Sequence, residues 1–188
     1  ILTGYFINLH AQQLTMKDAV LGLSTNLRVD NLSPLDWIPN QEAYTESVKT
    51  TYGTALVIRA IPDLKTDTLL RSTDFGKRNV VPFLNWVDEN TAYYRTDTTY
   101  MIWNRKTGKT ETWVSVPKDA EDIFTNPASF SITYVKDNDV YHVDKSGKTH
   151  RITTDGSYEI VNGKSVHRDE FGIDHGLFYS PKGNFIAF

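Results

Sequence analysis

The sequence contains no cysteine. That excludes disulfides, thiolate nucleophiles and cysteine-ligated zinc, and it fits either the cytosol or an export compartment. It has no apolar run near the ~20 residues that a membrane-spanning helix needs. It also lacks an excess of one charge: 20 Lys+Arg stand against 23 Asp+Glu, interspersed, for a net charge of −3. No basic field fit to neutralise a phosphate backbone is present, so no nucleic-acid partner is expected. No Gly-x-Ser-x-Gly elbow, Gly-x-Gly-x-x-Gly turn or phosphate loop occurs among the 11 glycines, which removes the hydrolase nucleophile and nucleotide sites built on them. No cofactor is expected. What the sequence does have is apolar matter: 39% hydrophobic and 12% aromatic residues over 188 positions. That supports a sizeable core and argues against global disorder.

Both ends read as cut. Residues 1–11 are mostly apolar and uncharged and close on Leu9-His10-Ala11, with a small residue where a signal peptidase would act. They read either as the remnant of a secretory signal or as an N-terminal strand. The signal reading implies export, to the periplasm or beyond. At the other end, Asn184-Phe-Ile-Ala-Phe188 reads as a strand stopped in mid-run, so residues 12–188 are expected to be one part of a larger protein.

One segment reads as helix. Leu14-Thr15-Met-Lys-Asp18-Ala-Val-Leu21 has Thr15 as N-cap, Asp18 at the capping-box offset and Gly22 as a stop. The rest is short β-type runs, at residues 55–61, 92–94, 100–103, 130–135 and 140–143, split by turn signals such as Lys136-Asp-Asn-Asp139. In the fourth run Phe130, Ile132 and Tyr134 alternate with Ser131 and Thr133, the period of a half-buried strand. The runs also repeat. Trp37-Ile-Pro-Asn-Gln-Glu-Ala43-Tyr44 matches Trp86-Val-Asp-Glu-Asn-Thr-Ala92-Tyr93 at one constant spacing. Trp103-Asn-Arg-Lys-Thr-Gly108-Lys-Thr110 matches His142-Val-Asp-Lys-Ser-Gly147-Lys-Thr149, and weaker copies start near Phe130 and Phe178. A four-strand unit recurring every 40–50 residues or so is the mark of β-propeller blades; a β-sandwich with chance similarity is the plainer alternative. The fold class is therefore all-β: a partial propeller of about three blades plus the start of a fourth, with one short N-terminal helix. Propellers close with roughly 4–8 blades, so this ring would stay open.

Candidate chemistry is sparse. His142, Asp144 and His150 fall in one hairpin, but their spacing fits no standard metal motif and they read as exposed hairpin residues, so no metal site is assigned. The most informative stretch runs Asn162-Gly163-Lys-Ser-Val166-His167-Arg168-Asp169-Glu170-Phe171-Gly172 and then Phe178-Tyr-Ser-Pro-Lys-Gly183. It falls between one repeat and the next, where propeller loops are inserted. Adjacent carboxylates repel, so Asp169 and Glu170 are best placed beside a cation. A primary ammonium is one such cation, with three donors for two carboxylates to share. An ordinary solvated Asp-Glu loop is the alternative.

That stretch resembles the N-terminal propeller of the dipeptidyl peptidase IV family, prolyl oligopeptidase-type serine peptidases that carry Asn-Gly, then Trp-Val-Tyr-Glu-Glu-Glu-(Phe/Val), then a Trp-Ser-Pro-(Asp/Asn)-Gly-Lys blade start. Val166 matches the Val, His167 the Tyr, Asp169 and Glu170 the last two Glu, and Phe171 the apolar residue after them. Leu14-Thr-Met-Lys-Asp18 resembles the family's Leu-Thr-(Leu/Ile)-Glu-Asp opening. Val166-His-x-x-Glu-Phe-Gly172 also resembles the prolyl tripeptidyl peptidase branch, which keeps a single Glu.

The resemblance implies a function. The two carboxylates would sit on a short helical insertion near 167–171 and hold the free N-terminal amine of a peptide substrate. The propeller would then gate substrates for an exported serine exopeptidase releasing Xaa-Pro dipeptides or Xaa-Xaa-Pro tripeptides. Its triad would lie in a C-terminal α/β-hydrolase domain of the same protein, so these 188 residues alone are expected to hydrolyse nothing. The implied partners are that domain and proline-containing peptides with a free N-terminus, and the family leaves room for a homodimer. Glu170 and Asp169 are the implied amine-binding residues, and Arg95 is the candidate for the family's arginine on the substrate carbonyl. Two departures bear on peptide length: Asp169 is one methylene shorter than Glu, and Arg168 replaces the first Glu. A non-catalytic propeller that binds a protein partner is the alternative function.

Overall fold

The structure, a computed structural model, describes residues 14–24, 27–28, 33–75, 80–165 and 170–188. The segment 1–11, read as a signal remnant or a strand, lies outside the described residues. The chain divides into two units, Ile1–Ser33 and Pro34–Phe188.

In the first unit a short helix, α1, spans Met16–Leu21. Thr15 caps it as the sequence predicts. The Thr15 hydroxyl accepts from the Asp18 amide at 3.1 Å, and the Asp18 carboxylate accepts from the Thr15 amide at 3.1 Å, so two of the donors orphaned at a helix start are satisfied reciprocally. Gly22 does not act as the stop expected of it. It keeps right-handed helical angles, φ −58° and ψ −39°, its amide still donates to the Asp18 carbonyl, and the chain passes into a 3-10 turn at Gly22–Ser24.

The second unit is all β, in antiparallel sheets that follow chain order. The first sheet holds β1 (Leu35–Trp37), β2 (Ala43–Thr50), β3 (Gly53–Ala60) and β4 (Thr66–Arg71). The second holds β5 (Asn85–Trp86), β6 (Thr91–Thr96), β7 (Thr99–Asn104) and β8 (Thr110–Ser115). The third holds β9 (Glu121–Asn126), β10 (Ser131–Lys136), β11 (Asp139–Val143) and β12 (Thr149–Arg151). A two-stranded sheet, β13 (Phe178–Tyr179) with β14 (Ile186–Ala187), follows.

Successive sheets pack face to face. Ile38, Leu56 and Ile58 of the first meet Trp86, Tyr94 and Trp103 of the second. Tyr100, Val114 and Val116 of the second meet Ile132, Tyr134 and Val143 of the third. Val135 and Val140 of the third meet Leu177 and Ile186 beside the fourth. Each fully buried aliphatic side chain in these layers is worth roughly 1.5–3 kcal/mol of transfer free energy. Polar ties fix the stacking: the Trp86 indole N–H donates to the Thr45 hydroxyl at 3.0 Å, and the Trp86 amide donates to the Asp36 carboxylate at 3.1 Å.

The sandwiching corrects the reading of 130–135 as a half-buried strand. Ser131 through Val135 are all buried. Ile132 and Tyr134 face the second sheet, while Val135 and Thr133 face the fourth. A strand in an internal sheet has no solvent face, so its alternation records two different neighbours rather than inside and outside.

The two sequence repeats are real, yet each is out of register by one residue. Trp37 pairs with Tyr44 and is exposed, while Trp86 pairs with Ala92 and is buried. The structural counterpart of Trp86 is Ile38, whose amide donates to Ala43. The turn after Trp86 is one residue longer, and one residue of slip turns a side chain to the other face. The later turns do the same: Trp103 pairs with Thr110 as Val143, not His142, pairs with Thr149.

One recurrent contact leads to the functional end. The β2–β3, β6–β7 and β10–β11 turns lie at the end from which β4, β8 and β12 leave. At each, the third turn residue offers its carbonyl to the departing chain. Tyr52 accepts from the Ser72 hydroxyl at 3.2 Å, Thr98 from the Val116 amide at 2.9 Å, and Asn138 from the Asn162 amide at 3.0 Å.

Candidate functional site

The connection from β12 to β13, residues 152–177, is much longer than those leaving β4 and β8. Its base is a neck made by two glycines. Gly163 has φ +75°, and a Cβ there would lie 2.8 Å from Val140 Cγ2 and 3.0 Å from both Leu177 Cδ2 and Val135 Cγ2. At Gly176 a Cβ would lie 2.5 Å from the Lys164 carbonyl oxygen. Outgoing and returning backbone therefore touch at a distance that only glycine allows. Above the neck the Ser165 hydroxyl donates to the Ile173 carbonyl at 3.0 Å. Below it, Leu177 is fully buried against Val135 and Val140.

This insertion carries the predicted amine-binding residues. Glu170 opens a 3-10 turn, Glu170–Gly172; Asp169, with Val166, His167 and Arg168, lies outside the described residues. Within the turn Phe171 has φ 59° and ψ 20° and is 91% exposed. A bulky residue in the left-handed region costs about 1–2 kcal/mol, and such backbone persists where the surroundings fix it. The helical turn expected near 167–171 is thus seen as this 3-10 turn.

The returning limb is braced by rings. His175 stacks on Phe124 at 4.9 Å, Phe124 stacks on Tyr179 at 5.8 Å, and His175 tilts onto Phe178 at 4.9 Å. Asp174 bonds to His175 Nδ1 at 2.7 Å, and that contact holds its carboxyl below the usual range. Asp122, Phe124, Asp174 and His175 line an open cleft of about 360 Å³ beside the limb. On the outgoing limb Lys164 forms an ion pair with Glu121 of β9.

Tyr179 continues inward. Its hydroxyl meets the Thr133 hydroxyl, which in turn lies 3.1 Å from His142 Nδ1. Burial pushes the Tyr179 phenol up and the His142 imidazole down, with His150 adding to the effect on His142. A histidine whose folded value is depressed favours the neutral form on folding. Its contribution is present above the ordinary value of 6.5 and is lost as the pH falls below it. The melting temperature is therefore expected to fall between about pH 7 and pH 5, and His142→Asn, which keeps an acceptor for Thr133, should shrink that fall. An unchanged slope in thermal melts of the variant would count against the assignment.

The other sequence candidates are placed as follows. Arg95, on β6, turns back on its own hairpin: Nε donates to the Asp97 carbonyl at 2.5 Å, and the guanidinium lies 5.6 Å from the Tyr100 ring centroid. It is exposed, near the β6–β7 turn at the insertion end of the second sheet. The hairpin set His142, Asp144 and His150 is divided: His150 Nε2 bonds to Asp144 at 2.9 Å, while His142 Nδ1 faces Thr133. Among the described residues no three His, Asp or Glu side chains form a cluster that could hold a metal ion.

Sequence reasoning missed Asp139, Gly176 and the His175 stack. The Asn162-Gly163 pair gave a partial signal for the neck. Asp139 in a turn reads as a surface residue, yet it is 1% exposed.

Comparison with known proteins follows this geometry. The family described as the dipeptidyl peptidase IV (DPP IV) N-terminal region matches residues 83–188. Dipeptidyl peptidase 4 of Trichophyton rubrum is 28% identical over 93% of this chain and 24% of its own length. Dipeptidyl peptidase 4 of Arthroderma otae is 44% identical over 66 residues, 34% of this chain and 8% of its own. Among solved structures, a Bacteroides ovatus chain assigned as a dipeptidyl aminopeptidase IV superposes with a TM-score of 0.67 at 23% identity, over 85% of this chain and 22% of that one. Porphyromonas gingivalis dipeptidyl peptidase 4 superposes with a TM-score of 0.55 at 16% identity, over 94% of this chain and 27% of that one. The chain thus spans about a quarter or less of the length of these relatives. With the family match covering more than half of its residues, the chain belongs to the dipeptidyl peptidase IV N-terminal region family.

Proposed function

We propose that residues 12–188 form three blades and the start of a fourth of a dipeptidyl peptidase IV-type β-propeller. This propeller is the substrate-gating part of an exported serine exopeptidase that releases Xaa-Pro dipeptides or Xaa-Xaa-Pro tripeptides. The C-terminal α/β-hydrolase domain of the full protein supplies the triad. Glu170 and Asp169 hold the N-terminal ammonium of the substrate, and Arg95 is the candidate for its backbone carbonyl. The observation that carries the reading is the glycine-pinched insertion, which presents Glu170 on a tight turn at one end of the sheets. The family match and the relatives' names support it.

An ammonium held at a fixed point turns the propeller into a ruler. The span from that anchor to the hydrolase nucleophile sets how many residues fit before the scissile bond. A charged amine offers three donors, which two carboxylates can share; an acetylated terminus offers one neutral N–H. The full-length protein is therefore expected to cleave free-amine Ala-Pro or Ala-Ala-Pro p-nitroanilides and to cleave their N-acetyl forms poorly. Equal rates for the two would overturn the amine anchor. No hydrolysis of either would favour a protein-binding scaffold instead.

A further inference from the structure

We propose that Asp139 is the positioning residue of the insertion: its buried carboxylate winds the outgoing limb around the β10–β11 turn and so sets the aim of the amine site. The inference rests on the amine-binding reading above.

Three hairpin turns occupy equivalent places in the first three sheets, and the first residue after them is Gly53, Thr99 and Asp139 in turn. Only the third sheet is followed by the long insertion, and only there is that residue a carboxylate. Its oxygens are fully used. Arg151 grips Oδ2 with Nε at 3.1 Å and with a second N–H from Nη2. Oδ1 accepts from the Thr153 hydroxyl at 2.7 Å and from the Gly156 amide at 2.9 Å. All these donors lie downstream, at the end of β12 and along the limb. The Arg151 contact, with the bond from Thr153, keeps the Asp139 carboxyl below its ordinary range.

The neighbouring turn residues continue the same winding. Thr153 accepts from the Val140 amide at 3.0 Å, and the Ile152 amide donates to the Val140 carbonyl at 2.8 Å. Asn138 donates its side-chain amide to the Ser157 carbonyl at 2.8 Å and accepts from the Asn162 amide. Gly156 passes so close that a Cβ would sit 2.7 Å from the Asn138 carbonyl. One turn thus directs the limb up to the residue that precedes the Gly163 neck. A carboxylate satisfied by four donors from the limb is suited to fixing a direction; an amide cannot accept them all, because one of its two positions is itself a donor.

The test uses the full-length enzyme, with free-amine and N-acetyl Ala-Pro p-nitroanilides. Asp139→Asn should raise KM for the free-amine substrate about 10-fold with kcat within about 2-fold, so that the preference for a free amine falls in proportion. Amide hydrogen exchange over residues 152–162 should quicken at the same time. Asp144→Asn, which removes a hydrogen-bonded carboxylate from the opposite end of the same sheet, should leave the preference unchanged. If Asp139→Asn does not fold, Thr153→Val, which removes one of the donors to Asp139, should move KM in the same direction by less. The inference falls if Asp139→Asn, or Thr153→Val in its place, leaves the preference intact while Glu170→Gln abolishes it; the amine reading would then stand. If Glu170→Gln also leaves the preference intact, the amine reading fails and takes the inference with it.

Discussion

Glu170→Gln in the full-length enzyme should lower kcat/KM for free-amine Xaa-Pro substrates by on the order of 10–100-fold. The side chain keeps its length and one acceptor oxygen but loses its charge. A hydrogen bond to a charged group is worth roughly 1.5–3 kcal/mol, which is the free energy of that fold-change. Asp169→Asn should cost less, because the shorter side chain reaches less far. Folding should be little changed: the turn that Glu170 opens includes the exposed Phe171 and lies outside the packed layers, and surface substitutions usually stay within about 0.5 kcal/mol. Steady-state kinetics with free-amine and N-acetyl substrates, beside a thermal melt, separate the two effects. An unchanged kcat/KM would sink the amine role of Glu170.

Gly163→Ala should be the most damaging single methyl in the β unit. It meets two penalties at once. The backbone there is left-handed, which costs a residue with a Cβ roughly 1–2 kcal/mol. The new methyl would also press on Val140, Leu177 and Val135, all fully buried, and overpacking a filled core costs typically about 1–3 kcal/mol. Gly147 is the internal control: its φ is +83° but a Cβ there would meet nothing within 4 Å. Gly147→Ala should therefore show the backbone penalty alone. In urea unfolding the midpoint should drop for both variants and markedly further for Gly163→Ala; equal drops would mean that the neck can yield.

How far the sequence speaks can be judged from these residues. The β class, the capped helix and the recurrence of a four-stranded unit were readable, because alternation, capping boxes and turn residues are local signals. The register was not. Trp37 and Trp86 look equivalent in the sequence, yet a single extra residue in the second turn sends one to solvent and the other to the core. The double burial of β10 was hidden for a related reason: Ser131 and Thr133 read as a wet face, whereas Thr133 is satisfied by Tyr179 and His142, which lie far along the chain or across a hairpin. Around the candidate site, the Asp169-Glu170 pair stood out through its resemblance to a family motif. Asp139 could not, since its meaning lies in donors 12 to 17 positions away.

The pinched base of the insertion separates two kinds of change. Backbone-to-backbone contact at Gly163 and Gly176 closes the loop without using any side chain of the tip. The sheets beneath see the same neck whatever residues stand above it. Variation at the tip can therefore retune which peptide ends are accepted while leaving the stability of the blades alone. Variation at the neck does the reverse, and is paid in folding before it is felt in selectivity.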